Sequence, residues 1–237
     1  MTVSEDIVEI GRLLDEWAVR ATLYAISPPL ATRVGELNPE GWGEWKMLPS
    51  PVTPADVEAL EADIGFTLPQ FYRAFLQCRV LLDLDFGDYT LPWLPPKDTL
   101  ADCRDLLSDD FASGFRQFGT ARGAGDPLCF DLQRQGADGD YPIVVFNHDV
   151  VPHDVWKDPA RLRPYVSEVS SSFRQFLPSL LDRDESMFPP PQSPEELRRN
   201  AAWAKVHERL KALRLPSHHR PDGVNLTDPF AILDALE

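Results

Sequence analysis

Apolar positions recur at helical spacing through residues 53–76, TPADVEALEADIGFTLPQFYRAFL. Val57, Leu60 and Ile64 fall on one face of a first helix. Thr53 is placed as its N-cap, Pro54 fits the first helical position, and Asp56 closes a capping box. Gly65 supplies the left-handed conformation that ends a helix. Leu68-Pro69 restarts the chain, and Phe71, Tyr72, Phe75 and Leu76 form the apolar face of a second, shorter helix. Upstream, Ile7, Ile10, Leu14, Trp17 and Ala21 predict a helix over 3–26, with Glu5 and Asp6 near its positive end.

Downstream the pattern shortens. Strands are expected at 80–86, 89–93, 114–118, 128–132 and 142–146, separated by turn signals such as Phe86-Gly87-Asp88 and Ala137-Asp138-Gly139-Asp140. The latter turn predicts an antiparallel hairpin. Val169, Phe173, Phe176, Leu177 and Leu180 predict a helix from Glu168 to Leu181, which Pro178 should bend or end early. Ser193-Pro194-Glu195-Glu196 is a strong helix start, continued by Leu197, Ala201, Val206, Leu210 and Leu213.

Proline clusters at 27–29, 94–96 and 189–191 punctuate the chain as stiff connectors. The expected organisation is an N-terminal helix and Pro/Trp-rich connector over 1–50, a central domain over 51–182, and a C-terminal helical extension over 183–237. Trp42 and Trp45 in the connector should pack on the domain, because two indoles are costly to leave in water. The fold class is α+β: a twisted, mainly antiparallel sheet flanked by helices, with helical extensions at both ends.

Charge changes the picture. The formal net charge is −15, and residues 51–182 carry 21 acidic against 11 basic side chains. Such a surface repels phosphate, so nucleic acid is not an expected partner. It suits a basic protein partner or simple solubility. Asp83, Asp85, Asp88, Asp102, Asp105, Asp109 and Asp110, with Phe111 beside the last two, form the densest acidic stretch. In a strand, Asp83 and Asp85 would share one face, and Leu82, Leu84 and Phe86 the other. This set reads either as a solvated face or as a partner-binding surface. The N-terminus has no basic leader and no apolar run reaches membrane-spanning length, so a cytoplasmic protein without membrane association is expected. Cys78, Cys103 and Cys129 have no disulfide or metal spacing.

Catalytic signals are sparse. His148, Asp149, His153 and Asp154, near Asp126 and Asp131 in sequence, could hold a metal or move protons, or could simply make turn hydrogen bonds. Their spacing matches no zinc pattern. The glycine-rich run 119–126 lacks the Gly-Lys-Ser/Thr ending of a phosphate loop and reads as a turn before a strand. No nucleophile elbow, kinase set or paired-cysteine site is present, and no cofactor or metal is expected.

The helix carrying Glu58 and Glu61, then Gly65, Leu68-Pro69, Phe71-Tyr72 and Phe75-Leu76, resembles the N-terminal signature of the SUKH superfamily. The Gly125-Asp126 step, the strand ending at Asp131 and the run into His148-Asp149 resemble its later features. The resemblance spans Pro51 to Asp182. It makes Glu61, Gly65, Leu68, Pro69, Tyr72, Phe75, Gly125, Asp126 and Asp131 the fold-signature residues. Cys78-Arg79-Val80 stands where the family often has Asn-Gly, so the loop after the second helix departs from the pattern. The superfamily shares its fold with a yeast cell-wall assembly regulator and includes bacterial toxin-immunity proteins. The resemblance therefore implies a non-catalytic protein-binding domain: an immunity protein that neutralises a basic toxin, such as a nuclease, or a regulatory scaffold.

Overall fold

The structure is a computed structural model. It describes residues 2–182 except 22, 40, 83, 87, 93, 97, 109–113, 122–124, 153 and 157, and beyond them residues 202, 205, 206, 209, 230 and 233. The chain divides into two compact units, Met1–Phe188 and Pro189–Glu237. In the second unit, Ala202, Lys205, Val206 and Arg209 are helical, within the span where a helix is expected. Ala202 and Val206 are buried there while Lys205 and Arg209 are exposed, the one-sided pattern of an amphipathic helix.

In chain order the first unit contains α1 (Val3–Arg20), β1 (Tyr24–Ile26), β2 (Arg33–Val34), β3 (Trp42–Trp45), β4 (Leu48–Pro49), α2 (Pro54–Ile64), α3 (Gln70–Cys78), β5 (Arg79–Val80), β6 (Leu84–Asp85), β7 (Tyr89–Leu91), α4 (Ala101–Ser108), β8 (Phe115–Ala121), β9 (Asp126–Asp131), β10 (Ile143–Val145), α5 (Pro159–Leu162), β11 (Ser167–Ser170) and α6 (Phe173–Leu181). Strands β6 to β11 form one sheet in sequential order, and every pairing in it is antiparallel. β1, β3 and β2 make a small second sheet, and β4 pairs with β5. This is an α+β fold with a mainly antiparallel sheet.

Tyr72 is fully buried at the centre of the main core. The rings of Phe75, Phe118, Phe130 and Phe173 surround it with centroids 5.9, 5.7, 5.2 and 4.8 Å away. Most of these contacts are edge-to-face, the geometry that the ring quadrupoles favour. A second cluster of Phe115, Cys129, Val144, Phe146, Val151, Val155 and Leu162 joins the sheet to the segment after β10. The sheet is thus buried on both faces along its central strands.

Helix α1 is anchored by polar as well as apolar contacts. Ile10, Leu14 and Trp17 enter the main core. The buried Asp6 carboxylate accepts from Arg174 of α6 at 2.5 Å and from the Gln70 amide of α3 at 2.6 Å. Arg174 also reaches Glu9 at 3.0 Å and lies over the Phe71 ring, 4.2 Å from its centroid. Trp45 is buried, as expected of the connector, and Trp42 is half-buried.

Several boundaries differ from the sequence reading. The helix over 3–26 stops at Arg20, and Tyr24–Ile26 pair with β3 instead. Pro28 and Pro29 lie just ahead and bar a helical continuation. The strand over 80–86 is two strands, because β5 pairs back to β4 whereas β6 pairs forward to β7. Residues 167–170 are not the start of a helix but the edge strand β11. Ser172 then caps α6 by accepting from the Gln175 amide at 3.2 Å. Pro178 does not end α6, which runs to Leu181. The amide it lacks would bond only to Arg174 in the first turn, so one bond is forgone.

Candidate partner-binding groove

Helix α4 falls inside the acidic stretch, where no helix was expected. The chain enters it through Asp98, whose φ of 53° is in the left-handed region. The Ala101 amide donates to the Asp98 carbonyl at 2.9 Å, and Thr99 Oγ1 donates to the Pro95 carbonyl at 2.6 Å. Leu100, Cys103 and Leu107 then point into the core. Cys103 Sγ lies 3.9 Å from the Tyr72 hydroxyl, and burial pushes its thiol up to about 12. It is a packing residue, not a nucleophile.

The inward spacing of Leu100, Cys103 and Leu107 fixes what faces outward. Arg104 turns toward α2 and pairs with Asp63 at 3.2 Å. Asp102 and Asp105 are exposed, and among the described residues neither forms an ion pair. Both border an open groove of about 320 Å³. Leu91 and Pro92 of the β7 end, Leu106 of α4, and Thr90, Gly119 and Thr120 line the rest. Gly119 keeps β7 and β8 close: a Cβ there would sit 2.7 Å from the Thr90 carbonyl oxygen. The groove therefore joins an apolar floor to a lip of two uncompensated carboxylates. That combination can take an apolar side chain beside a cation.

The remaining acidic residues are placed as follows. Asp85 lies in β6, the edge strand of the six-stranded sheet, and Asp88 is exposed at the β6–β7 turn. Leu82, Leu84 and Phe86 are buried, which matches the inward face expected of this strand. Asp83, Asp109, Asp110 and Phe111 lie outside the described residues.

The signature residues have structural roles. Glu61 Oε1 accepts from the Leu68 amide at 2.7 Å and lies 3.6 Å from Arg73, so it holds the turn between α2 and α3. Gly65 caps α2 with φ 75°, and Pro69 is the N-cap residue of α3, next to the buried Leu68. Tyr72 and Phe75 stack in the core. Gly125, φ 72°, turns the chain into β9. Asp126 Oδ1 accepts from the His148 amide at 3.0 Å and lies 2.9 Å from His148 Nδ1, which ties the start of β9 to the end of β10. His148 Nε2 lies 3.3 Å from Asp149. His153 lies outside the described residues, and Asp154 pairs with Arg161 at 2.7 Å. Among the described residues no group of three or more His, Cys, Asp and Glu side chains is arranged to hold a metal.

Asp131 is the residue whose partners the sequence reading missed. Its fully buried carboxylate accepts from Arg163 and Arg134, and from the Gln133 amide at 3.2 Å. Burial alone would raise its pKa, but the hydrogen bonds and charges of Arg163 and Arg134 outweigh it and hold the carboxyl below its ordinary value. Arg163 also lies over the Phe115 ring, 5.0 Å from its centroid. The Asp131–Arg134 spacing was a visible signal, whereas Arg163 is brought in only by the tertiary fold.

An antiparallel six-stranded sheet and a Glu-clamped pair of helices are the arrangement that the SUKH resemblance implies. The model of the SMI1/KNR4 family (SUKH-1) matches residues 51–179. That is more than half of the chain, and the chain belongs to this family. Its domains are protein-interaction modules and generally non-catalytic. Comparison with curated proteins finds no match. Among the described residues no helix is long and apolar enough to cross a membrane.

Proposed function

We propose that this chain is an immunity protein that binds a basic toxin domain, a nuclease being the fitting class, and blocks its active surface. The observation that carries this reading is the lip of the α4 groove, where Asp102 and Asp105 stand exposed above an apolar floor. A toxin that acts on nucleic acid presents cations where phosphates bind, and these carboxylates can occupy the same positions. The excess of acid on residues 51–182 supports fast encounter with such a partner. Asp85 and Asp88, and the outlying Asp83, Asp109, Asp110 and Phe111, would extend the contact.

The test is affinity capture of the tagged full chain from its native cell, with the wild type and the Asp102→Lys/Asp105→Lys double variant side by side. The expected result is one stoichiometric partner whose isolated domain is toxic and is neutralised by the wild type. The double variant should bind it at least about tenfold more weakly, since a like-charge contact replaces two attractive ones. Capture of housekeeping proteins with no toxic activity would sink the immunity reading and leave a regulatory scaffold.

A further inference from the structure

The groove beside α4 gathers two carboxylates and two hydroxyls that the fold leaves uncommitted. Asp102 and Asp105 are three residues apart on the exposed side of α4. Their Cβ atoms therefore stand about 5–6 Å apart, close enough for one cation to face both. The sheet supplies Thr90 of β7 and Thr120 of β8, a cross-strand pair whose half-buried side chains share one face. Among the described residues neither carboxylate has an ion-pair partner and neither hydroxyl has a hydrogen-bond partner.

The rest of the groove is apolar. Leu91 and Pro92, both buried, line it, and the half-buried Leu106 borders it from α4. The carboxylates call for a cation, and the apolar lining chooses between the two that proteins offer. A lysine ammonium is a compact, strongly hydrated point charge, which loses its water on such a surface. A guanidinium is planar and weakly hydrated, so its face can lie on apolar side chains while its edge donates. Its five N–H groups can also serve carboxylates and hydroxyls together, where an ammonium has three.

We infer that the α4 groove is the seat of an arginine side chain presented by the protein partner. Asp102 and Asp105 hold its guanidinium, Thr90 and Thr120 accept its remaining donors, and Leu106 and Pro92 carry its face. This deepens the immunity reading and rests on it only for the partner being a toxin. Arginine is the side chain that grips phosphate with two parallel hydrogen bonds, so its capture would take from a nuclease a contact to its substrate.

Amide NMR of the isotope-labelled full chain, titrated separately with acetyl-arginine amide and acetyl-lysine amide, tests it. The expected result is saturable shifts confined to groove amides such as Thr90, Leu106, Gly119 and Thr120. The arginine probe should bind about tenfold tighter, the equivalent of one more hydrogen bond to a charged group. Asp102→Asn with Asp105→Asn should abolish saturation. Thr120→Val keeps the side-chain shape without the hydroxyl and should weaken the arginine probe alone. Leu106→Lys should block both probes, because the new ammonium can pair with Asp102 at i,i+4 and fill the seat. That added pair supports α4 should the asparagine variant lose structure. Saturation by neither probe, equal affinity for both, or an arginine affinity indifferent to these variants overturns the inference. The two readings fail separately. Arginine-selective binding by a chain that captures only housekeeping proteins removes the toxin and keeps the site. A neutralised toxin captured by a chain with no arginine preference removes the site and keeps the toxin.

Discussion

Glu61 shows how much one side chain can fix. It sits on the last turns of α2, yet its carboxylate satisfies the Leu68 amide seven residues later and faces Arg73 on α3. The angle between two helices thus depends on one acceptor that is largely withdrawn from water. Glu61→Ala should lower stability by about 2 kcal/mol, the range for a hydrogen bond to a charged group, read as a shift in the denaturation midpoint. Glu61→Gln should recover part of it, because an amide oxygen can still accept from Leu68. Equal losses in the two variants would place the energy in the Arg73 charge pair instead. Asp131 makes the corresponding prediction for pH. Its folded pKa is depressed, so its stabilisation is present above the unfolded value of about 3.9 and is lost as pH falls through the folded value. Asp131→Asn should cost about 2 kcal/mol at neutral pH, discounted because both arginines are partly exposed. It should also flatten the acid limb of a stability–pH curve, and an unchanged acid limb would show that other carboxylates govern it.

At the level of elements, legibility followed locality. The α2–α3 pair was readable because its cap, proline start and glycine stop are all local chemistry, and the Thr53–Asp56 box is present with the amide bond at 3.2 Å. Helix α4 was missed because its eight residues carry Asp102, Asp105 and the polar Arg104 among few apolar positions. Only Leu100, Cys103 and Leu107, spaced three and four apart, betrayed it. The groove's two carboxylates were therefore named without the element that aims them. β11 was misread as helix because Val169 fits either period, and its pairing with β10 is decided by residues more than twenty positions away. The same limit hid the docking of α1, whose Asp6 was read only as favouring the helix N-terminus but is buried between α3 and α6. Asp6→Ala would remove the buried acceptor that Gln70 and Arg174 share, at a cost of about 3 kcal/mol. Hydrogen exchange should localise the effect, with α1 amides exchanging faster and central β8–β9 amides unchanged. Uniform acceleration would mean that α1 and the sheet unfold as one unit.

For the whole molecule the question is whether residues 51–182 suffice. The family match covers 51–179, and the acidic groove lies inside it, which makes the segment look self-contained. The physics points the other way. α1 closes the same core as Tyr72 and Phe75, and it contributes Ile10, Leu14 and Trp17, all nearly or fully buried. Trp17 lies 5.3 Å, centroid to centroid, from Phe86 at the sheet's edge. Arg20 donates to the Leu181 carbonyl at 2.8 Å, so α1 also covers the end of α6. Burying three such side chains is worth about 6 kcal/mol before any polar contact is counted. That approaches the entire net stability of an ordinary domain. A chain cut to 51–182 should therefore bind a dye such as ANS, lose its cooperative thermal transition and associate at micromolar concentration. A chain of residues 1–182 should restore cooperativity and abolish dye binding. Should 51–182 unfold cooperatively at the full chain's midpoint, the core would close without α1, and the buried Ile10, Leu14 and Trp17 would add nothing that the domain needs.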